Sequence, residues 1–273
     1  YEQLTPELKA ALTEYYKVGS LEDYDELIRA VGYFTFRYGK IDWLESNNEY
    51  WLETDAALRT DFNINSGLKT PDMPKIKYKS KMKEYYAKAG IPTARYHLVD
   101  TLENGLAFAR EVGDPVIVKP DNGVGANSTF KLKNEEQLRE FYASGWSTQY
   151  IMEEFVNGEI CSYDSIIDSN GSPLLETGNI TPISIMDSVN DRETVFFYIV
   201  PNLKEDVRAA GRACVKAFGV RSRCTHLEFF RLLEDKPGLG KKGEIVGLEV
   251  NMRPSGGFTP EMINYANSTD FYK

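Results

Sequence analysis

Polar and apolar side chains alternate most clearly near the C-terminal end of the chain. In residues 247–257, GLEVNMRPSGG, Glu249, Asn251 and Arg253 fall at every second position, with Leu248, Val250 and Met252 between them. Alternate side chains of a β-strand share a face. The pattern therefore predicts a strand with an acid, an amide and a guanidinium in a row, roughly 6–7 Å apart, over an apolar underside. Pro254 ends it, and Ser255-Gly256-Gly257 leaves backbone close to whatever the polar face holds.

Elsewhere the same reading predicts helices over 6–17, 21–36 and 49–59, with a short strand at 41–44. Ser20 is the expected cap of the second helix, with Glu22 and Asp23 in its first turn. Residues 63–74 contain Asn, Ser, Gly and two prolines and read as a linker. A helix over 80–89 stops at Gly90 with Pro92 beyond it. Strands follow at 93–98, 115–120, 128–132 and 149–153, separated by helices at 102–112 and 134–142, the latter capped by Asn134. A hairpin is expected from 159–168 and 173–178, turning at Asn170-Gly171. A strand at 192–200, a helix at 203–218, strands at 223–233 and 244–251 and a helix at 259–267 complete the order. Paired strands interspersed with helices predict an α+β protein with antiparallel sheets, not one doubly wound parallel sheet.

Composition narrows the function classes. The 273 residues are 42% hydrophobic and 27% charged, as in a globular protein of one large or two ordinary domains. No run approaches the ~18 apolar residues of a membrane span, and the start, YEQLTPELKA, lacks a signal-peptide pattern. The absence of an initiator Met makes a fragment or a processed chain the expectation. A net charge of −9 argues against an extended nucleic-acid surface and leaves room for a local cationic pocket. Cys161, Cys214 and Cys224 lie in apolar contexts without a CxxC, which fits reduced thiols in a cytoplasmic protein. With only His97 and His226 present, a histidine-rich zinc site is disfavoured.

Four stretches carry chemistry. Lysines occupy positions 75, 77, 79, 81 and 83, which alone reads as a solvated basic helix start. Lys119 ends an apolar run and is followed by the small-residue loop 121–128. A lysine there can reach a phosphate that loop amides also cradle, although the loop is neither GxxxxGK[ST] nor GxGxxG and is equally a hairpin turn. Residues 150–159, YIMEEFVNGE, run an apolar strand into Glu153 and Glu154. They offer backbone, apolar walls and an acid to a purine nucleoside, or else are surface acids. Finally, if 223–233 pairs with 244–251, Glu228 faces Glu249 at about 5 Å. Carboxylates that close repel unless a cation separates them. The pair is thus a metal site, with Asn251 as the next oxygen ligand suited to Mg²⁺, or a coincidence.

Together, the strand lysine with its glycine loop, the double-acid hinge ending in Glu159 and the E…ExNxR of Glu228, Glu249, Asn251 and Arg253 resemble the ATP-grasp superfamily. The likeness is to its carboxylate–amine ligases, related to the carbamoyl-phosphate synthase large subunit, biotin carboxylase and the purine-biosynthesis ligases. It covers residues 75–267. The resemblance implies an ATP-grasp fold, two α+β subdomains gripping ATP at 75–148 and 149–273. Before them, 1–74 would be the tail of a Rossmann-like domain. It implies ATP and two Mg²⁺ ions as cofactors, with Mn²⁺ as an alternative. Small-molecule carboxylate and amine substrates are implied, without nucleic acid or membrane, with a homodimer among the allowed assemblies. Lys79, eleven residues before Gly90, would contact phosphates, with Lys81 as rival because Ser80 departs from the family's pattern. Lys119 would be the second nucleotide lysine, under Gly123, Gly125 and Ala126. Glu153, Glu154, Phe155 and Val156 would hold the adenine and Glu159 the ribose. Glu228, Glu249 and Asn251 would bind metal, and Arg253 would act on the carboxylate or the transferring phosphoryl, with Ser255, Gly256 and His226 near substrate. A carboxylate would attack ATP, and the acyl phosphate would pass to an amine. A small-molecule kinase and a non-catalytic nucleotide-binding module are the alternatives.

Overall fold

The computed structural model describes residues 5–123, 128–182 and 196–271. Two compact units emerge: residues 1–46 with 50–70, and residues 47–49 with 71–273.

The described part of the first unit is helical. Helix α1 (Pro6–Ala11) starts with Thr5 accepting the Leu8 amide at 3.2 Å and stops well short of residue 17. Helix α2 (Tyr24–Tyr38) is capped by Asp23, which accepts from Glu26 N at 3.1 Å. Ser20, the expected cap, accepts from Glu22 N instead. Helix α3 (Leu52–Asp61) follows a short turn of 3₁₀-helix. The strand expected at 41–44 does not form, because that backbone serves a side chain: Leu44 O accepts from Arg59 Nε at 2.9 Å. Arg59 is fully buried, donating also to Leu68 O at 2.8 Å and pairing with Glu45 at 2.8 Å. With no strand among its described residues, this unit gives the expected Rossmann-like tail no sheet.

The second unit carries two antiparallel sheets, as the order of elements predicted. The smaller is ordered β1-β4-β2-β3, from β1 (Tyr96–Leu98), β2 (Val116–Pro120), β3 (Phe130–Leu132) and β4 (Tyr150–Glu154). Helices α6 (Leu102–Val112) and α7 (Glu135–Ser144) pack on it through Leu106, Val118, Leu138, Phe141 and Met152. Asn134 caps α7 as expected, accepting from Gln137 N at 3.0 Å.

The larger sheet runs β10-β9-β5-β7-β8, with β6 paired to β5. Its strands are β5 (Gly158–Ile167), β6 (Pro173–Thr177), β7 (Asn179–Thr181), β8 (Tyr198–Ile199), β9 (Arg223–Leu232) and β10 (Ile245–Asn251). Part of the strand expected at 192–200 lies outside the described residues. Helix α4 (Met73–Lys77) leads into α5 (Lys79–Lys88), and α8 (Glu205–Phe218) and α9 (Thr259–Asn267) follow in the chain. Helix α8 approaches β5 closely because Gly211 has no side chain; a Cβ there would sit 2.2 Å from the Tyr163 ring. Among the described residues no helix is long and apolar enough to cross a membrane.

Candidate active site

Helix α5 begins at Tyr78, which offers no side-chain cap. Asp121, from the end of β2, does that work from across the fold. Its carboxylate accepts from Ser80 N and Ser80 Oγ, both at 2.7 Å, and its carbonyl accepts from Lys79 N at 2.9 Å. A helix N-terminus satisfied in this way points Lys79 inward. Its ammonium donates to Gly123 O at 3.0 Å and lies 3.3 Å from Glu249. Lys81, the rival, faces solvent and pairs with Glu84 at 2.8 Å. The solvated basic helix start is corrected as well: Lys77, Lys79 and Lys83 are buried.

Strands β9 and β10 pair with Glu249 opposite Glu228 and Asn251 opposite His226. A bulge between Gly247 and Glu249 brings the two acids into register. Tyr86 of α5 locks this pair from below, its hydroxyl 3.0 Å from Glu249 O and 3.3 Å from Glu228 O. Gly247 makes room for the ring; a Cβ there would lie 2.5 Å from it.

Each oxygen donor of the set meets a protein cation. Glu249 has Lys79 at 3.3 Å, Glu228 has His226 Nε2 at 3.5 Å, and Asn251 Oδ1 accepts from Arg253 Nη2 at 3.4 Å. Burial works to raise the Glu228 carboxyl, but His226, Arg253 and Lys119 together hold it below the ordinary value. His226 is itself carried up to about 10: burial opposes its charge, and Asp164, 2.7 Å from Nδ1, and Glu228 outweigh it. Both ring nitrogens of His226 are thus engaged by protein carboxylates. Arg253 also donates to Pro254 O at 2.9 Å and lies 3.3 Å from Glu49. Ser255 is buried beside it, and Gly256 opens to space.

The hinge acids are not surface features. Glu153 is buried between Lys119 and Lys83, each 2.6 Å from one of its oxygens. Burial raises its carboxyl, and the two ammonium groups overcome that and bring it down to about 2. Burial and the charge of Lys119 pull Lys83 below the ordinary lysine value, whereas Glu153 outweighs burial at Lys119 and holds it above. Glu154 is consumed by Arg95, through its backbone amide at 2.8 Å and Nη2 at 2.8 Å. Glu154 N donates in turn to Arg95 O at 3.0 Å, and its carboxylate also lies 3.7 Å from Lys236. Phe155 O accepts from Lys236 at 3.0 Å, and its ring lies 4.3 Å beneath Lys131. Val156 joins an apolar cluster with Ala94, Leu232, Leu239 and Val246. Glu159 is half-buried on β5, opposite Arg231. Gly125 and Ala126 lie outside the described residues.

Glu49, Tyr86 and Asp164 were absent from the motifs, while Lys83 stood there only as one of a lysine run and Asp121 only as the first residue of a loop. Lys83 had one signal, its i+4 spacing from Lys79 on the same helix face; Glu49 and Asp164 had none, since both act across long stretches of chain. Among the described residues there is no group of three or more His, Cys, Asp or Glu arranged for a metal. The donor set is two facing carboxylates and an amide, oxygen ligands that fit a hard cation with coordination positions left for phosphate and water. Lys79 and Lys119 beside them fit the phosphate charge.

The unit thus sets two antiparallel sheets together, with Lys79 of α5 reaching Glu249 of the facing carboxylates on the larger one. A family model described as the ATP-grasp domain matches residues 75–216, just over half of the chain, and the chain belongs to that family. It is 22% identical over 244 residues to an alanine–anticapsin ligase of Bacillus subtilis, covering 79% of this chain and 49% of that protein. The chain thus spans about half the length of that relative. An L-amino acid ligase from Bacillus licheniformis superposes with a TM-score of 0.67 at 19% identity, over 93% of this chain and 59% of the other. The biotin carboxylase domain dimer of the Hydrogenobacter thermophilus 2-oxoglutarate carboxylase, solved with MgADP, ADP and bicarbonate, gives 0.68 at 18% identity, over 96% and 59%.

Proposed function

We propose that this protein is an ATP-dependent ligase that activates a small carboxylate as an acyl phosphate and joins it to an amine. The observation that carries the reading is the register that sets Glu228 against Glu249, with Asn251 and Arg253 continuing along the strand. Names of relatives such as the alanine–anticapsin ligase support it. In this reading residues 75–148 and 149–273 are the two gripping subdomains. Glu228, Glu249 and Asn251 hold one or two Mg²⁺ ions, which supply positive charge against the phosphates.

The chain's own groups do the rest. Lys79 and Lys119 bind phosphate oxygens, and Arg253 meets the charge that develops as the phosphoryl group passes to the carboxylate. Main chain at 153–156 takes the adenine and Glu159 the ribose. Arg253, Ser255 and Gly256 face the carboxylate, with His226 holding Glu228 behind them. A homodimer and a cytoplasmic location belong to the same reading.

The test is ADP and phosphate release from ATP and Mg²⁺ across amino acids, dipeptides and other small carboxylates, with and without amines. Amine-dependent release with formation of an amide is the expected result. A stable phosphorylated product would assign a kinase instead, and nucleotide binding without turnover a non-catalytic module.

A further inference from the structure

Lys83 has no role assigned in the nucleotide site and still reaches it, through Glu153. Its ammonium sits 2.6 Å from Glu153 Oε1, donates to Ala94 O at 3.0 Å and lies 5.4 Å from the centroid of the Tyr96 ring. Those acceptors and the aromatic face favour the charged form against burial and the charge of Lys119, which work the other way. The second Glu153 oxygen holds Lys119 at 2.6 Å. All three side chains are buried. Two ammonium groups thus share one carboxylate, and the trio carries a formal charge of +1 away from solvent.

The surplus has a direction. Lys83 is anchored on three sides. Lys119 has three N–H donors, and Glu153 is its one ion-pair partner among the described residues. A buried Lys119–Glu153 pair alone would be neutral and self-contained, and separating such a pair is costly. Sharing Glu153 with Lys83 removes that self-sufficiency.

We propose that Lys83 is an electrostatic positioning residue of the nucleotide site: by holding one oxygen of Glu153, it leaves Lys119 with unspent positive charge for a nucleotide phosphate. This rests on the nucleotide-binding reading above. A plain staple between α5 and β4 would lower stability when cut, with no dependence on the charge of the trio.

The experiment is calorimetric titration of ADP with saturating Mg²⁺ into the wild type, K83M, K83R and the double variant K83M/E153Q. K83M leaves Glu153 to Lys119 alone and weakens ADP binding by about tenfold. K83R keeps the charge and binds like the wild type. K83M/E153Q has lost both ion pairs but regains one net positive charge at Lys119, and its affinity recovers to within about threefold of wild type. Equal binding by wild type and K83M, or a double variant weaker than K83M, overturns the proposal. If K83M does not fold, K83Q with and without E153Q makes the same comparison. A wild type that binds no ADP overturns the nucleotide reading, and the role of Lys83 falls with it. That failure is distinguishable because it shows before any variant is compared.

Discussion

Glu249 faces Glu228 across β9 and β10, with Lys79 3.3 Å away and the charge of Lys119 also acting on it. Glu249→Gln keeps the shape and removes the charge, so Mg²⁺-dependent turnover should fall by at least about a hundredfold, with an unchanged circular dichroism spectrum. Normal turnover would remove Glu249 from the metal set. Lys119→Ala should weaken nucleotide binding by about tenfold, read by calorimetry; unchanged affinity would make Lys119 a purely structural lysine. Glu153 gives a pH signature. Its carboxyl is brought from 4.5 to about 2 in the folded protein. A depressed carboxyl stabilises the fold above its unfolded value and loses that contribution as pH falls through its folded one. Relative to Glu153→Gln, the wild type should therefore lose stability between pH 4.5 and about 2 in acid-unfolding curves; parallel curves would show that Glu153 is not so paired. At this level the spacing of Lys79 from Gly90 was legible, and so were Glu228 and Glu249. That Lys79 turns inward while Lys81 turns to solvent was not, since both sit in one lysine-rich run and only Asp121, some forty residues away, orients the helix start.

The strands carrying the site were readable because alternation survives in them: β9 and β10 begin and end within a residue or so of their expected limits. The bulge beside Leu248 was not, because nothing in a regular alternation marks an extra residue. What holds the bulged pair is Tyr86, whose phenol burial keeps protonated and able to donate. Gly247→Ala would press a Cβ into that ring and should cost about 1–3 kcal/mol by overpacking. A smaller residue at 86 should relieve part of the loss, giving a non-zero coupling in a double-mutant cycle of urea unfolding. Additive losses would place the strain elsewhere. The failed strand at 41–44 makes the opposite point. A short apolar run looked extended in isolation, and Arg59 claimed its backbone.

Each of the two units contains a buried charge that its own fold satisfies. In the first, Arg59 is bound by Leu44 O, Leu68 O and Glu45. Arg59→Ala would take away the guanidinium paired with the Glu45 carboxylate, whose side chain is 5% exposed, at a cost of about 3–5 kcal/mol. Denaturant unfolding followed by the tryptophans at 43 and 51 in that unit would read it, and an unchanged transition would contradict the buried-pair account. In the second, net charge −9 over the chain coexists with a local gathering of Lys79, Lys83, Lys119 and Arg253. Composition argued only against an extended anionic partner; it left room for such a pocket without placing it.

Periodicity and residue type were enough for the α+β class, for most strands and helices of residues 75–267, and for the acids, amide and guanidinium of the C-terminal strand. These are local properties, written in side-chain alternation and in caps such as Asn134. The folded chain alone assigned partners to the charges. Glu153 took two lysines, Glu154 took Arg95, His226 took Asp164, and Arg253 took Glu49. A buried ion pair is set by which desolvated groups meet in space, and most of these pairs join residues about sixty or more positions apart. No pattern within a strand or a helix turn can encode such a meeting.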